Sequence, residues 1–110
     1  MVEREASTLD ATYHALSDPT RRDMLRRLTE GPGRITDLAG ERDITFAATS
    51  KHVRVLEDAG LIQRSIAGRE HWLALEPSNL RRASLWLDGY RRFWEVRLDR
   101  LEHELRKQRR

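Results

Sequence analysis

Cysteine is absent from this 110-residue chain, which removes disulfides, thiolate metal sites and cysteine nucleophiles together. Lysine is scarce: two lysines stand against 19 arginines, so basicity alone does not identify a polyanion partner. No apolar run approaches the roughly 20 residues of a membrane-spanning helix, and the start, MVEREASTLD, lacks the apolar segment of a signal peptide. The cytoplasm is therefore the expected compartment, with no membrane partner. No glycine-rich phosphate loop and no convergent Ser, His and carboxylate set stands out, so no catalytic residue is assigned and an enzyme is not expected.

The charge that is present is unevenly spread. The net charge is +3, yet residues 81–110 carry ten basic side chains against five acidic ones. Hydrophobic residues make up 38% and charged ones 35%, and the length suits one domain, 1–110, with one modest core.

Glycine and proline punctuate a helical pattern. Leu9, Tyr13 and Leu16 form one stripe that ends at Ser17-Asp18-Pro19, where Ser17 or Asp18 can cap and Pro19 can open a second helix. Met24, Leu25 and Leu28 carry that helix to the stop Gly31-Pro32-Gly33. A short amphipathic piece, Ile35 to Ala39, precedes a polar turn from Gly40 to Asp43 and then a helix over 45–59. This spacing predicts a helix-turn-helix over about 34–60.

The stretch ITFAATSKHVRVLEDAGLI is the candidate recognition helix. Thr45 stands at the N-cap position and Gly60 at a left-handed stop. On a 100° wheel Thr49, His52, Val53, Leu56 and Ala59 share an inner sector, while Ala47, Ser50, Lys51, Arg54 and Asp58 share the outer one. Small side chains near the N-terminus followed by two cations suit entry into a major groove. The candidate DNA contacts on this helix are Thr45, Phe46, Ala47, Ser50, Lys51, His52 and Arg54, with His52 at the edge of the packing face.

After Gly60 the period becomes that of extended chain. Leu61 to Ile66 and His71 to Leu75 flank the turn Ala67-Gly68-Arg69-Glu70, which predicts a hairpin wing over about 61–75. Arg69 and Arg64 are placed to meet phosphates. Pro77 ends the wing, Ser78 can cap, and a long helix is expected over about 79–106 before a frayed RKQRR end. Its stripe of Leu80, Ala83, Leu87, Tyr90, Trp94, Leu98, Leu101 and Leu105 is longer than a small core can cover. The expected fold is mainly α with a small β-hairpin: a winged helix-turn-helix with a long C-terminal dimerisation helix.

The ordered set ALSDPTRRDMLRRL (15–28), TSKHVRVLEDAGLI (49–62), GRE (68–70) and WLDGYRRFW (86–94) resembles the ArsR family of bacterial winged-helix transcription repressors. The resemblance implies a sequence-specific, double-stranded DNA-binding repressor, with two recognition helices on an inverted-repeat operator. It also implies a homodimer built through the first and last helices, for which the candidate interface residues are Leu9, Tyr13, Leu87, Tyr90, Trp94, Leu98 and Leu101. Metal-sensing members carry Cys-x-Cys before the recognition helix, where this chain has RITDLA (34–39). Asp99 and His103 lie four apart and could form a zinc site only across a two-fold axis, so no metal and no cofactor are expected. The rival readings are a zinc-responsive repressor and a protein-interaction module using the aromatic last helix. No inducer is indicated.

Overall fold

The corner at Ser17-Asp18-Pro19 separates the first two helices in the computed structural model, which describes residues 2–109. Helix α1 (Val2–Leu16) runs into it and α2 (Pro19–Leu28) leaves it with Asp18 as N-cap. The Asp18 carboxylate accepts from the backbone N–H of Thr20 at 2.8 Å and of Arg21 at 3.1 Å, satisfying two free donors of the first turn. These bonds, that from Arg21 foremost, hold its carboxyl below the ordinary value of 3.8. The cap's contribution is complete above that value and is lost as the pH falls through the lowered folded one.

Arg21 shares the buried face of α2 with Met24, Leu25 and Leu28 and is only 8% exposed. Its guanidinium is hydrogen-bonded within the protein in place of the water it has lost. Nε donates to the Ala15 carbonyl at 2.7 Å and Nη2 to the His14 carbonyl at 3.0 Å, closing the C-terminus of α1. Nη1 lies 3.3 Å from Nδ1 of His52, and because arginine only donates, that imidazole nitrogen accepts.

A two-residue strand, β1 (Gly33–Arg34), leads into α3 (Ile35–Arg42). The helix runs three residues beyond the expected Ala39. Arg42 anchors its last turn, donating from Nη1 to the Leu38 carbonyl and pairing through Nε with Asp23 at 2.7 Å. Asp43 then turns left-handed at φ 52° and ends it. Helix α4 (Phe46–Asp58) follows, with the Thr45 hydroxyl accepting from the Ala48 N–H at 3.1 Å as the sequence predicts. Gly60 at φ +71° makes the stop. A Cβ there would sit 2.6 Å from Nδ2 of Asn79, whose amide donates to the Ala59 carbonyl at 3.0 Å.

The wing is β2 (Ile62–Ala67) and β3 (Glu70–Leu75), antiparallel, with Ala67 opposite Glu70 across the Gly68-Arg69 turn. The sheet has three strands, in the order β1-β3-β2, with Gly33 opposite Leu73 and Arg34 opposite Trp72. Two residues of which one is glycine carry no period, so β1 left no trace in the sequence pattern. The last helix, α5 (Ser78–Gln108), extends through most of the RKQRR segment expected to fray. Ser78 does not cap it; its hydroxyl donates to the Glu76 carboxylate at 2.6 Å instead.

Met24, Leu38, Val53, Leu56, Leu61 and Leu73 are fully buried and draw α2, α3, α4 and the wing into one core. Of α5 only Ala83 is buried, with Leu80 packed at the core's edge. Among the described residues no helix is long and apolar enough to cross a membrane.

Arg21 thus ties α1, α2 and α4 together at one buried point. Arg21→Ala is expected to lower the unfolding free energy by about 2–4 kcal/mol in urea titrations, since it strands two carbonyls and the imidazole. Arg26→Ala, on the exposed face of the same helix, should stay within about 0.5 kcal/mol; equal losses from the two would contradict the role given to Arg21.

Candidate nucleic-acid interface

The inner and outer faces of α4 divide as its wheel predicts. Thr49, Val53, Leu56 and Ala59 are buried, His52 is half-buried, and Ala47, Lys51 and Arg54 are exposed. Ser50 is partly covered, and Thr45 and Phe46 stand exposed at the leading end, Phe46 at 56%. A large apolar side chain left in water at a helix N-terminus is fitted to meet another apolar surface, such as a thymine methyl group.

Phe46, Ser50, Lys51, Arg54 and Asp58 line one wall of an open groove, and Arg64 and His71 of the wing line the other. The helix and the wing therefore face a common space. His52 does not belong to it: its ring turns inward to Arg21. The sequence reading placed His52 among the contacts; its position makes it a brace between α2 and α4.

The cations of the wing differ in what they already hold. Arg64 donates to the Glu57 carboxylate from Nη2 at 2.6 Å and from Nε at 3.1 Å, and its Nη1 lies 3.0 Å from Nδ1 of His71. The Glu57 hydrogen bonds push the Arg64 pKa further up, so its charge is permanent but locally neutralised. Arg69 stands exposed at the turn, where Gly68 takes φ +62°, and among the described residues it has no ion pair. Its neighbour Glu70 is engaged by Arg34 at 3.0 Å, and Arg34 also holds Asp37 and lies over the Trp72 ring at 5.8 Å. The Arg34 hydrogen bond keeps the Asp37 carboxyl below its ordinary range.

Arg34 fixes the wing to α3, and Arg64 with Glu57 fixes it to α4. Neither role was read from the sequence. Arg21 could have been found, because residues 21, 24, 25 and 28 share one helical face. Glu57 and Arg34 reach partners in other elements, and no local spacing reveals such pairs.

The remaining sequence candidates lie on α1 and α5. Tyr13 and Leu9 are half-buried, and the Tyr13 hydroxyl donates to the Ala83 carbonyl at 3.1 Å. Leu87, Tyr90, Trp94, Leu98, Leu101 and Leu105 are between 40% and 54% exposed along one side of α5. Trp86 stacks on Tyr90 with centroids 4.9 Å apart, and Tyr13 meets Trp86 edge-on. Among the described residues no group of three or more His, Asp or Glu side chains could hold a metal ion.

Comparison with known proteins places this geometry. A family model described as a helix-turn-helix domain matches residues 16–64. The HTH-type transcriptional regulator Rv2034 of Mycobacterium tuberculosis is 35% identical over 85 residues, 77% of each chain. The crystal structure of an ArsR family transcriptional regulator, RHA00566, superimposes with a TM-score of 0.76 at 34% identity, over 82% of this chain and 93% of that one. An ArsR-like transcriptional regulator from Rhodococcus sp. RHA1 gives a TM-score of 0.74 at 26% identity, over 89% and 92%.

Releasing Arg64 changes the interface in a measurable way. Glu57→Gln should increase the affinity for any duplex and steepen its dependence on salt by up to about 0.9 in log–log slope per chain, as one more cation becomes available to displace counterions. Filter-binding titrations between low and moderate salt measure the slope; an unchanged slope would place Arg64 away from the backbone path.

Proposed function

The chain belongs to the ArsR family of helix-turn-helix transcriptional regulators, and from that premise we propose that it is a cytoplasmic, homodimeric repressor of an inverted-repeat operator. The observation that carries this reading is the groove shared by the outer face of α4 and the wing. In it α4 enters the major groove N-terminus first, Thr45, Ala47 and Ser50 permit close approach, and Lys51 and Arg54 reach base edges or flanking phosphates. Phe46 supplies apolar contact at the leading end. Arg69 meets the backbone beside each half-site, and Arg64 follows once its hold on Glu57 loosens.

The dimer rests on area. Six large side chains of α5 stand about half exposed. Covering each gains about 1 kcal/mol, on the order of 12 kcal/mol across a two-fold pair, which is comparable with the cost of association. Such a pair sets its two α4 helices about one turn of DNA apart, roughly 34–36 Å. The same face could dock a different protein, but a second copy also makes use of an α4 that is small in front and cationic at its middle.

A duplex selected from a random library by the full-length protein should contain two related half-sites. Arg54→Ala or Lys51→Ala should then cost about 1–3 kcal/mol and relax preference at one base pair of each half-site. Arg69→Ala should weaken all duplexes alike. Unchanged affinity and preference in both α4 variants would place base reading elsewhere.

A further inference from the structure

We propose that Phe46 determines one base of each half-site by meeting the 5-methyl group of a pyrimidine in the major groove, so that thymine, or 5-methylcytosine in its place, is preferred there. The inference rests on the operator reading and names part of what the operator must contain. Phe46 is the first residue of α4, directly after the cap Thr45. Nothing local asks for a phenyl ring there: the cap bond comes from the Thr45 hydroxyl, and the position faces solvent. The side chain is nevertheless 56% exposed, and among the described residues outside α5 only Ile66 is another large hydrophobic left so open.

The neighbours of Phe46 say what it faces. Phe46, Ser50 and Arg54 follow at intervals of four, each step turning about 40°, so the three spread over about 80° of the helix surface. All three, with Lys51, line the groove between α4 and the wing. A surface that Arg54 meets is thus met by Phe46 two turns earlier, about 12 Å along the axis. On a duplex that distance corresponds to about four base pairs or fewer.

The chemistry of the base edges then selects the occupant. A phenyl ring supplies no N–H or O–H donor and no lone pair. Against guanine or adenine it would cover N7 and the O6 or N6 beside it without replacing their bonds to water, and against cytosine it would do the same to the N4 amino group. Thymine presents a methyl group instead, the apolar feature of the major-groove floor. Covering that methyl gains affinity where the other bases lose it. Uracil keeps the hydrogen-bonding atoms of thymine without the methyl, whereas 5-methylcytosine keeps the methyl and changes those atoms, so the two separate a methyl contact from any other.

The test uses the full-length protein and the duplex it selects from a random library, with affinity read by fluorescence anisotropy. Deoxyuridine replaces thymidine at one position of both half-sites at a time. One position, within about four base pairs of that whose preference Arg54→Ala relaxes, should weaken the parent about tenfold, through loss of one methyl contact in each half-site. Phe46→Ala should bind the thymine and uracil duplexes of that position within about twofold of each other. Phe46→Leu should keep part of the parent's ratio and Ile66→Ala all of it. At the same position 5-methylcytosine should bind the parent about tenfold better than cytosine, a gain that Phe46→Ala removes. Uracil tolerated at every position, or a thymine-to-uracil ratio that survives Phe46→Ala, would overturn the proposal and leave the regulator reading standing. A protein that enriches no duplex would overturn both. Sedimentation of Phe46→Ala without DNA should match the parent; a shift to smaller species would assign the ring to a protein contact and overturn the base contact.

Discussion

A 31-residue helix whose apolar side, from Leu87 onward, stands exposed along its own chain is the constraint on which the rest of this structure depends. The core of α2, α3, α4 and the wing takes only Leu80 and Ala83 from it, and Ala83 is the only residue of α5 that becomes buried. Such a helix spans about 46 Å, within a molecule 68 Å in its longest dimension. Its exposed leucines and aromatics explain the shape: the winged helix is a nearly finished unit, and in the proposed dimer α5 would be the arm holding two such units at one spacing. Such a spacing would turn one modest contact surface into a specific one, because the second half-site would be reached within the same association event.

The seating of the recognition helix is the second element. Helix α4 is braced near its middle by Arg21 through His52 and at its end by Asn79 through Ala59. Thr45 closes its start. The wing is fixed beside it by Arg34 on one side and by Arg64 with Glu57 on the other. The residues that position the interface are thus polar and paired, whereas those that face outward are small, apolar or cationic except for Asp58 in the last turn of α4. This division gives a rigid frame with an adaptable front, as reading a regular duplex requires.

Much of this was legible in the sequence because it is local. The Asp18-Pro19 corner, the Thr45 cap and the Gly60 stop follow from the chemistry of single residues, and the two faces of α4 follow from its 3.6-residue period. What escaped reading depends on contacts between distant segments. Strand β1 exists because β3 offers it an edge. Helix α3 runs on to Arg42 because Asp23 of α2 meets that guanidinium. Ser78 turns from its expected cap because Glu76 takes its hydroxyl, and Arg64, expected to meet phosphates, is held by Glu57. His52 was placed on the correct edge of its helix, but the partner that turns it inward, Arg21, lies 31 residues away.

The central claim is that α5 joins two copies and that this union makes the protein a specific binder. The direct measurement is sedimentation equilibrium and titration of the selected duplex on the same samples of the parent and of Leu98→Asp, with far-UV circular dichroism on each. The account predicts a parent dimer, and a variant of unchanged helical content that shifts to monomer and loses operator affinity by at least a hundredfold. A well-folded monomer that binds the two-half-site duplex with parent affinity would contradict it.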